Sequence, residues 1–203
     1  LLTNIEYSSV DKQIQMIAVT SSAPSEGKTT TATNLAVAYS ETGKNVLLVD
    51  CDLRKPRLHK VFNTSNLIGL TSVLASKSSL NDTVKPVKDG LSILTSGPIP
   101  PNPVELIRSN MMEQLINTLR DLFDVVIFDT PPVGLVTDAA IISSKLDGVV
   151  LVVASGKSQI EATLRAKENL QNVNANLLGA VVTRIPIDTR GYQYYTYGEE
   201  EQT

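Results

Sequence analysis

Six short apolar runs, each ending in polar or turn-forming residues, set the terms for this 203-residue chain. They are Met16–Thr20, Asn45–Val49, Leu91–Leu94, Val125–Phe128, Val149–Val153 and Leu178–Thr183. A strand with one wet face alternates apolar and polar residues, so nearly unbroken runs of this length fit strands buried on both sides. Between them, helical spacing runs over about Thr29–Thr42, Leu70–Ser76, Pro103–Ser109, Met111–Leu122, Thr137–Ser144 and Gln159–Asn172. Gly43 stops the first helix and Pro103 starts another. Strand and helix in alternation predict an α/β fold, a parallel sheet with helices on both faces. Ligands of such sheets gather at the carboxyl ends of the strands.

The first run leads directly into Ser21–Thr30, S-S-A-P-S-E-G-K-T-T, and then into a helix. Strand, loop and helix in that order form a phosphate-binding loop, in which successive backbone N–H groups curl around phosphate oxygens at a helix N-terminus. Ser25, Glu26, Gly27, Lys28, Thr29 and Thr30 are the expected cofactor-binding residues. Lys28 reaches the β- and γ-phosphates as a point charge, and the Thr29 hydroxyl ligates Mg²⁺. Ser22 stands where the usual pattern opens with Gly, and Ser25 where a flexible Gly is common. An ordinary Ser/Gly turn before a helix is the competing reading.

Two strands end in acid. Val46-Leu-Leu-Val-Asp50 continues as Cys51-Asp52-Leu53-Arg54-Lys55-Pro56, and Val125-Val-Ile-Phe-Asp129 as Thr130-Pro131-Pro132. Both acids fall on the sheet edge that carries the loop; capping the next helix is their plainer role. Phosphoryl transfer needs Mg²⁺ across the β- and γ-oxygens, carboxylates to hold it, and a base for the attacking hydroxyl. Asp129 is expected to orient the metal. Asp50 and Asp52, alternate residues of an extended segment, are expected to look together into the cleft, and one of them serves as base.

Composition removes other classes. Eighteen basic against 21 acidic side chains give a net charge of −3, not the footprint of a nucleic-acid binder. One cysteine, Cys51, and one histidine, His59, make neither a disulfide nor a zinc set and fit a reducing, cytoplasmic setting. No apolar run approaches the ~18 residues of a membrane span. Leu1–Ile5 reads as the tail of a helix from something longer. The Pro-rich stretch Thr95–Pro103 reads as a stiff connector at the strand ends. The domain is expected over residues 1–187, with a flexible tyrosine-rich tail over 188–203.

Together S-A-P-S-E-G-K-T-T, V-L-L-V-D-C-D-L-R-K-P and V-V-I-F-D-T-P-P resemble the Walker A, A′ and B motifs of bacterial tyrosine kinases, the cytoplasmic kinases of capsule and exopolysaccharide synthesis. The similarity runs nearly end to end and takes in L-T-S-G-P-I-P-P-N-P-V-E-L-I, Val133 to Ala139 and V-V-T-R-I-P. It implies the P-loop NTPase fold of the septum-site and partitioning ATPases. It also implies ATP and Mg²⁺ at Lys28 and Thr29, metal binding and proton abstraction at Asp50 and Asp52, metal at Asp129, and Arg184 beside the adenine. For partners it implies the cytoplasmic segment of a membrane-bound polysaccharide co-polymerase-type activator, a homo-oligomeric ring, tyrosine-bearing protein substrates and a cognate phosphotyrosine phosphatase. The activator would recruit the chain to the inner face of the membrane. The family's E-x-x-R-x-x-R assembly helix is not visible, and Ser22 departs from the consensus Gly.

Four of six tyrosines, Tyr192, Tyr194, Tyr195 and Tyr197, lie between Gly191 and Gly198, ahead of Glu199-Glu200-Glu201. They are the expected phosphoacceptors, presented to Asp50 and Asp52 of a neighbouring copy; a sticky aromatic anchor is the alternative. Arg54, Lys55, Arg57 and Lys60 form a basic cluster, read equally as solvated charge or as a contact for phosphate or an acidic Tyr peptide. Cys51, between two acids, should have a raised thiol pKa, and His59 reads as a surface helix residue. A partitioning-type switch ATPase and a nucleotide-sensing scaffold of a polysaccharide export machine are the rival functions. The first carries an extra loop Lys where this chain has Ala23.

Overall fold

The computed structural model describes residues 1–7 and 14–186. The expected domain boundary at 187 and the four tail tyrosines lie outside the described residues. In chain order the helices are α1 (Leu2–Glu6), α2 (Lys28–Glu41), α3 (Leu58–Val61), α4 (Leu70–Leu74), α5 (Leu80–Thr83), α6 (Pro103–Arg108), α7 (Asn110–Leu122), α8 (Asp138–Ser143) and α9 (Ile160–Asn172). The strands are β1 (Met16–Ser21), β2 (Val46–Asp50), β3 (Val84–Lys88), β4 (Leu91–Leu94), β5 (Val125–Asp129), β6 (Gly148–Ala154) and β7 (Leu177–Thr183).

They form one seven-stranded sheet in the order β3-β4-β2-β5-β1-β6-β7. All neighbours pair in parallel except β3, which runs antiparallel to β4 at the edge. β5 enters between β1 and β2, so the loops that follow these three strands open at one rim. Register fixes them closely: Asp50 pairs with Asp129, and Asp129 with Val19 just before the loop.

Alternation along each strand feeds two cores. Ile17 and Val19 of β1 pack with Ala32, Leu35, Ala36 and Tyr39 of α2. Met16 and Ala18 face the other layer, with Met112, Leu115 and Leu119 of α7 and Ala166 and Leu170 of α9. Small residues on α2 let its axis approach the sheet, which brings its N-terminus to the rim. Ser109 caps α7, its hydroxyl accepting from the Met112 N–H at 3.2 Å.

β3 and α5 have no counterpart among the elements expected from the sequence. β3 reads V-K-P-V-K, half to fully exposed, with a proline that only an edge strand tolerates and lysines that keep another chain from pairing there. Leu2–Glu6 forms a short helix, and Ile5 is buried. The Pro-rich connector is pinned, the carbonyls of Thr95 and Ser96 each accepting at 2.8 Å from the N–H groups of Leu70 and Thr71. Among the described residues no helix is long and apolar enough to cross a membrane.

Candidate active site

The loop after β1 turns through Ser25 at φ 61° and Gly27 at φ 99° before α2 begins at Lys28. Gly27 occupies the left-handed region where a side chain is strained, and a Cβ there would come 3.3 Å from Thr183. Inside the loop the fully buried Glu26 carboxylate accepts from the Ser22 hydroxyl at 2.8 Å, the Ala23 N–H at 3.0 Å and the Ser158 hydroxyl. Ser22, where the consensus has Gly, thus has a partner inside the loop. Thr183 donates to the Glu26 carbonyl at 2.6 Å, Lys157 to that of Ser25 at 3.2 Å, and Arg184 to the same Ser25 carbonyl at 2.9 Å. Cations on the loop's carbonyls leave its N–H groups as the polar face for an anion.

The three distant segments meet. Lys28 Nζ stands 3.0 Å from Asp52 Oδ2 and 3.3 Å from Asp129 Oδ1, and the Thr29 hydroxyl donates to Asp129 Oδ2 at 2.6 Å. Asp52 Oδ1 accepts the Lys55 N–H at 2.9 Å. Asp50 does not share that face. Fully buried, its Oδ2 accepts the N–H groups of Arg57 and Leu58, both at 2.9 Å, and its Oδ1 that of Asp52 at 3.3 Å. The alternation that predicted a common face ends with β2 at Asp50, and the chain beyond it is no longer extended strand.

Ser25, Gly27, Lys28, Thr29 and Thr30 line one cleft of about 390 Å³, together with Asp52, Arg184 and the exposed Leu135. Glu26 faces inward, and Asp50 and Asp129 are fully buried. Burial alone would lower the Lys28 pKa, but Asp129 and Asp52 outweigh it and hold the ammonium above its ordinary value. Burial raises Asp129 despite Lys28 and Thr29. Asp50 is pushed up to about 7 by burial and by Asp129, against the opposing N–H bonds. Burial, then Asp50, Asp129 and Asp52, lift the Cys51 thiol well above the ordinary range, as its neighbours suggested.

Asp52 and Asp129 share the single Lys28 ammonium, and a divalent cation would offset the negative charge that remains. Mg²⁺ takes one or two carboxylates and completes its shell with water and phosphate oxygens rather than an all-protein cage. Among the described residues no group of three His, Cys, Asp or Glu forms such a cage. The Thr29 hydroxyl and the Asp129 carboxylate, now bonded to each other, are the oxygens that could hold such an ion.

Several supporting residues carry no sequence signal. Asp138, at the start of α8 and fully buried, takes Arg54 in a two-point ion pair at 2.8 and 3.0 Å, so one member of the basic cluster is a strut. Ser158, Lys157 and Thr183 brace the loop from more than 130 positions away. His59 lies in α3, half-buried, its Nδ1 without a hydrogen-bond partner.

A family described as an AAA domain matches residues 14–178. The tyrosine-protein kinase YwqD of Bacillus subtilis is 48% identical over 195 residues, 95% of this chain and 82% of the relative. A putative tyrosine-protein kinase CapB of Staphylococcus aureus is 35% identical over 98% of this chain and 87% of its own length. The tyrosine-protein kinase wzc of Salmonella typhimurium is 32% identical over 99% of this chain but only 28% of that protein. Among solved structures, the chimerical protein CapA2B2 superposes with a TM-score of 0.88 at 44% identity, covering 91% of this chain and 81% of that one. The kinase domain of Escherichia coli tyrosine kinase ETK gives 0.84 at 30% identity over 97% and 76%. The septum site-determining protein MinD of Pyrococcus horikoshii, complexed with Mg-ADP, gives 0.70 at 27% identity over 83% and 69%. Both the P-loop architecture and the kinase relatives are thereby accounted for: the chain belongs to the bacterial tyrosine-protein kinases.

Proposed function

We propose that this kinase moves the γ-phosphoryl group of ATP to tyrosine phenols, with Tyr192, Tyr194, Tyr195 and Tyr197 of a neighbouring copy among its acceptors. The observation that carries the reading is the convergence of Lys28, Thr29, Asp52 and Asp129 within 3.3 Å contacts at the mouth of a phosphate loop. Thr29 and Asp129 would hold a Mg²⁺ ion, which when bound would supply neutralisation of the phosphate charge. Lys28, drawn from its carboxylates, would reach the phosphate oxygens. Arg184 lines the cleft with its guanidinium on the Ser25 carbonyl, and the resemblance assigns it to the adenine side.

A phenol with pKa about 10 attacks well only when its proton leaves as the new bond forms. Asp52 is suited to accept that proton, since it lines the cleft and its Oδ1 is held in place by the Lys55 N–H. The phenolic O–H proton passes to Asp52, the oxygen bonds to the γ-phosphorus, and the bond to the β-bridging oxygen breaks as ADP leaves with the electron pair. Asp50 holds the A′ loop to the strand end through its three N–H bonds.

Resemblance to the kinases of capsule and exopolysaccharide synthesis carries the rest of the reading. In it the chain works at the inner face of the membrane with the cytoplasmic segment of a co-polymerase-type activator, assembles into a ring when unphosphorylated, and is reset by a phosphotyrosine phosphatase. The Salmonella relative, of which this chain covers 28%, supports a second component supplied separately.

The test is incubation with ATP and Mg²⁺, with and without an activator segment, followed by mass spectrometry for phosphotyrosine and an assay for free phosphate. Label on Tyr192 to Tyr197, absent in Lys28→Met, is expected. Free phosphate without phosphotyrosine would instead select the switch ATPase.

A further inference from the structure

A second groove adjoins the nucleotide cleft. It shares Arg54, Lys55 and Arg57 with the cleft and continues past His59 and Lys60 to a far wall of Pro98 and Ile99. That wall is fixed, because the Asn66 side chain donates to the Gly97 carbonyl at 2.8 Å and accepts the Gly97 N–H at 3.0 Å. Ile99 is 63% exposed and adds an apolar surface to the groove.

The groove's charge is one-sided. Arg54 is neutralised by Asp138, whereas among the described residues no carboxylate pairs with Lys55, Arg57 or Lys60 and none lines the groove. Three cations are thus left for a ligand. The backbone of two of them is tied to the strand-end acids, the Lys55 N–H to Asp52 at the cleft and the Arg57 N–H to the buried Asp50. The backbone that carries these cations is therefore anchored next to the carboxylate that would take the phenol proton.

We infer that this groove is the specificity site for the acceptor peptide, binding acidic residues a few positions C-terminal to the tyrosine being phosphorylated. The occupant we assign is the Glu199–Glu201 segment of a second copy. It rests on the kinase reading above and adds what selects the acceptor. Glu199, Glu200 and Glu201 follow Tyr197 by two, three and four residues. An extended chain rises about 3.3 Å per residue, so these carboxylates lie roughly 7–13 Å beyond a phenol at Asp52, the scale of a groove adjoining the cleft. Three carboxylates meet three cations, and the Pro98–Ile99 wall suits an aromatic or aliphatic stem between them. Tyr197 is therefore the first acceptor and Tyr192, further from the acids, a late one.

Binding of a fluorescent peptide spanning residues 188–203 to the full chain tests this without requiring turnover. Replacing Glu199, Glu200 and Glu201 by Gln is expected to weaken binding by up to about tenfold at low salt, each exposed pair being weak by itself. A Lys55→Ala, Lys60→Ala double variant, which keeps Arg57, should weaken the acidic peptide by a smaller factor and leave the Gln peptide unchanged, the coupling expected of direct contact. Equal affinity for both peptides, or independent additive losses, would overturn the assignment. A groove variant that binds the acidic peptide normally hands the groove to some other partner and also ends the proposal. Acid-dependent binding without any phosphotyrosine would sink the kinase reading instead, so the two failures are distinguishable. Time-resolved mass spectrometry of the active chain should find phosphate on Tyr197 before Tyr192, an order lost when the three Glu are Gln.

Discussion

Asp50 and Asp52 stand two positions apart in the sequence and carry different loads. Asp52 divides its oxygens between Lys28 and the Lys55 N–H at the cleft, while Asp50 spends its own on three backbone N–H groups in full burial. Replacing each by Asn separates the roles. Asp52→Asn should lower phosphotransfer by at least about 10²-fold, the usual cost of losing a general base, while ATP affinity changes by less than about threefold. Asp50→Asn should instead show in the pH dependence of stability. With its folded pKa near 7, above the ordinary value of 3.8, Asp50 keeps a proton in the folded state that the unfolded chain has released. Stability of the nucleotide-free protein should therefore fall as pH rises from about 4 to about 7, by up to about 1.4 kcal/mol per pH unit, and level off above. Asn at this position cannot ionise and should flatten that slope. Urea unfolding at pH 5, 6, 7 and 8 measures it; an unchanged slope would show that Asp50 titrates in its ordinary range.

At the scale of elements, the site depends on the loop after β5 pressing against the loop after β1. The Val133 N–H donates to the Ser21 carbonyl at 2.9 Å, and a Cβ on Gly134 would come 2.3 Å from the Ser22 carbonyl oxygen. Nothing flexible lies at that contact, so Gly134→Ala must displace the start of the phosphate loop. A shift on the order of 1 Å in a positioning element can cost up to ~100-fold, and we expect ATP affinity to fall about tenfold or more. Gly43→Ala is the control: φ is +82° with nothing within 4 Å, so about 1 kcal/mol of stability is lost without change in ATP affinity. Equal affinity losses in the two variants, measured by nucleotide titration, would refute the contact. The same elements mark what a sequence can disclose. Six strands and six helices were readable to within about two residues because burial on both faces leaves continuous apolar runs. β3 was not, since an exposed edge of Lys and Pro has no apolar signature. In the site, Lys28, Thr29 and Asp52 were marked by local motifs, and Arg184 by resemblance. Asp138 and Ser158 were invisible, because a lone polar residue in a loop says nothing of a partner 84 or 132 positions away.

For the whole molecule, charge decides whether copies stay together. A net charge of −3 on 203 residues opposes self-association only weakly. Full phosphorylation of the four tail tyrosines would add about −6 to −8, at roughly −1.5 to −2 each. Phosphate could in principle strengthen a contact with the basic groove, and the count of charges determines which effect wins. If the groove holds Glu199, Glu200 and Glu201 as inferred above, Lys55, Arg57 and Lys60 would already be matched, and every phosphate beyond them would add negative charge with no further groove cation to meet it. At 0.1 M salt the field reaches only about 10 Å, which confines the repulsion to the tail and its contact. Unphosphorylated chain should therefore sediment as a larger species than chain exhaustively phosphorylated, with the gap narrowing as salt rises. Chain with Phe at all four positions should stay associated whether or not ATP is added. Identical sedimentation of phosphorylated and unphosphorylated forms at low salt would mean that the tail does not hold the copies together, whatever its tyrosines receive.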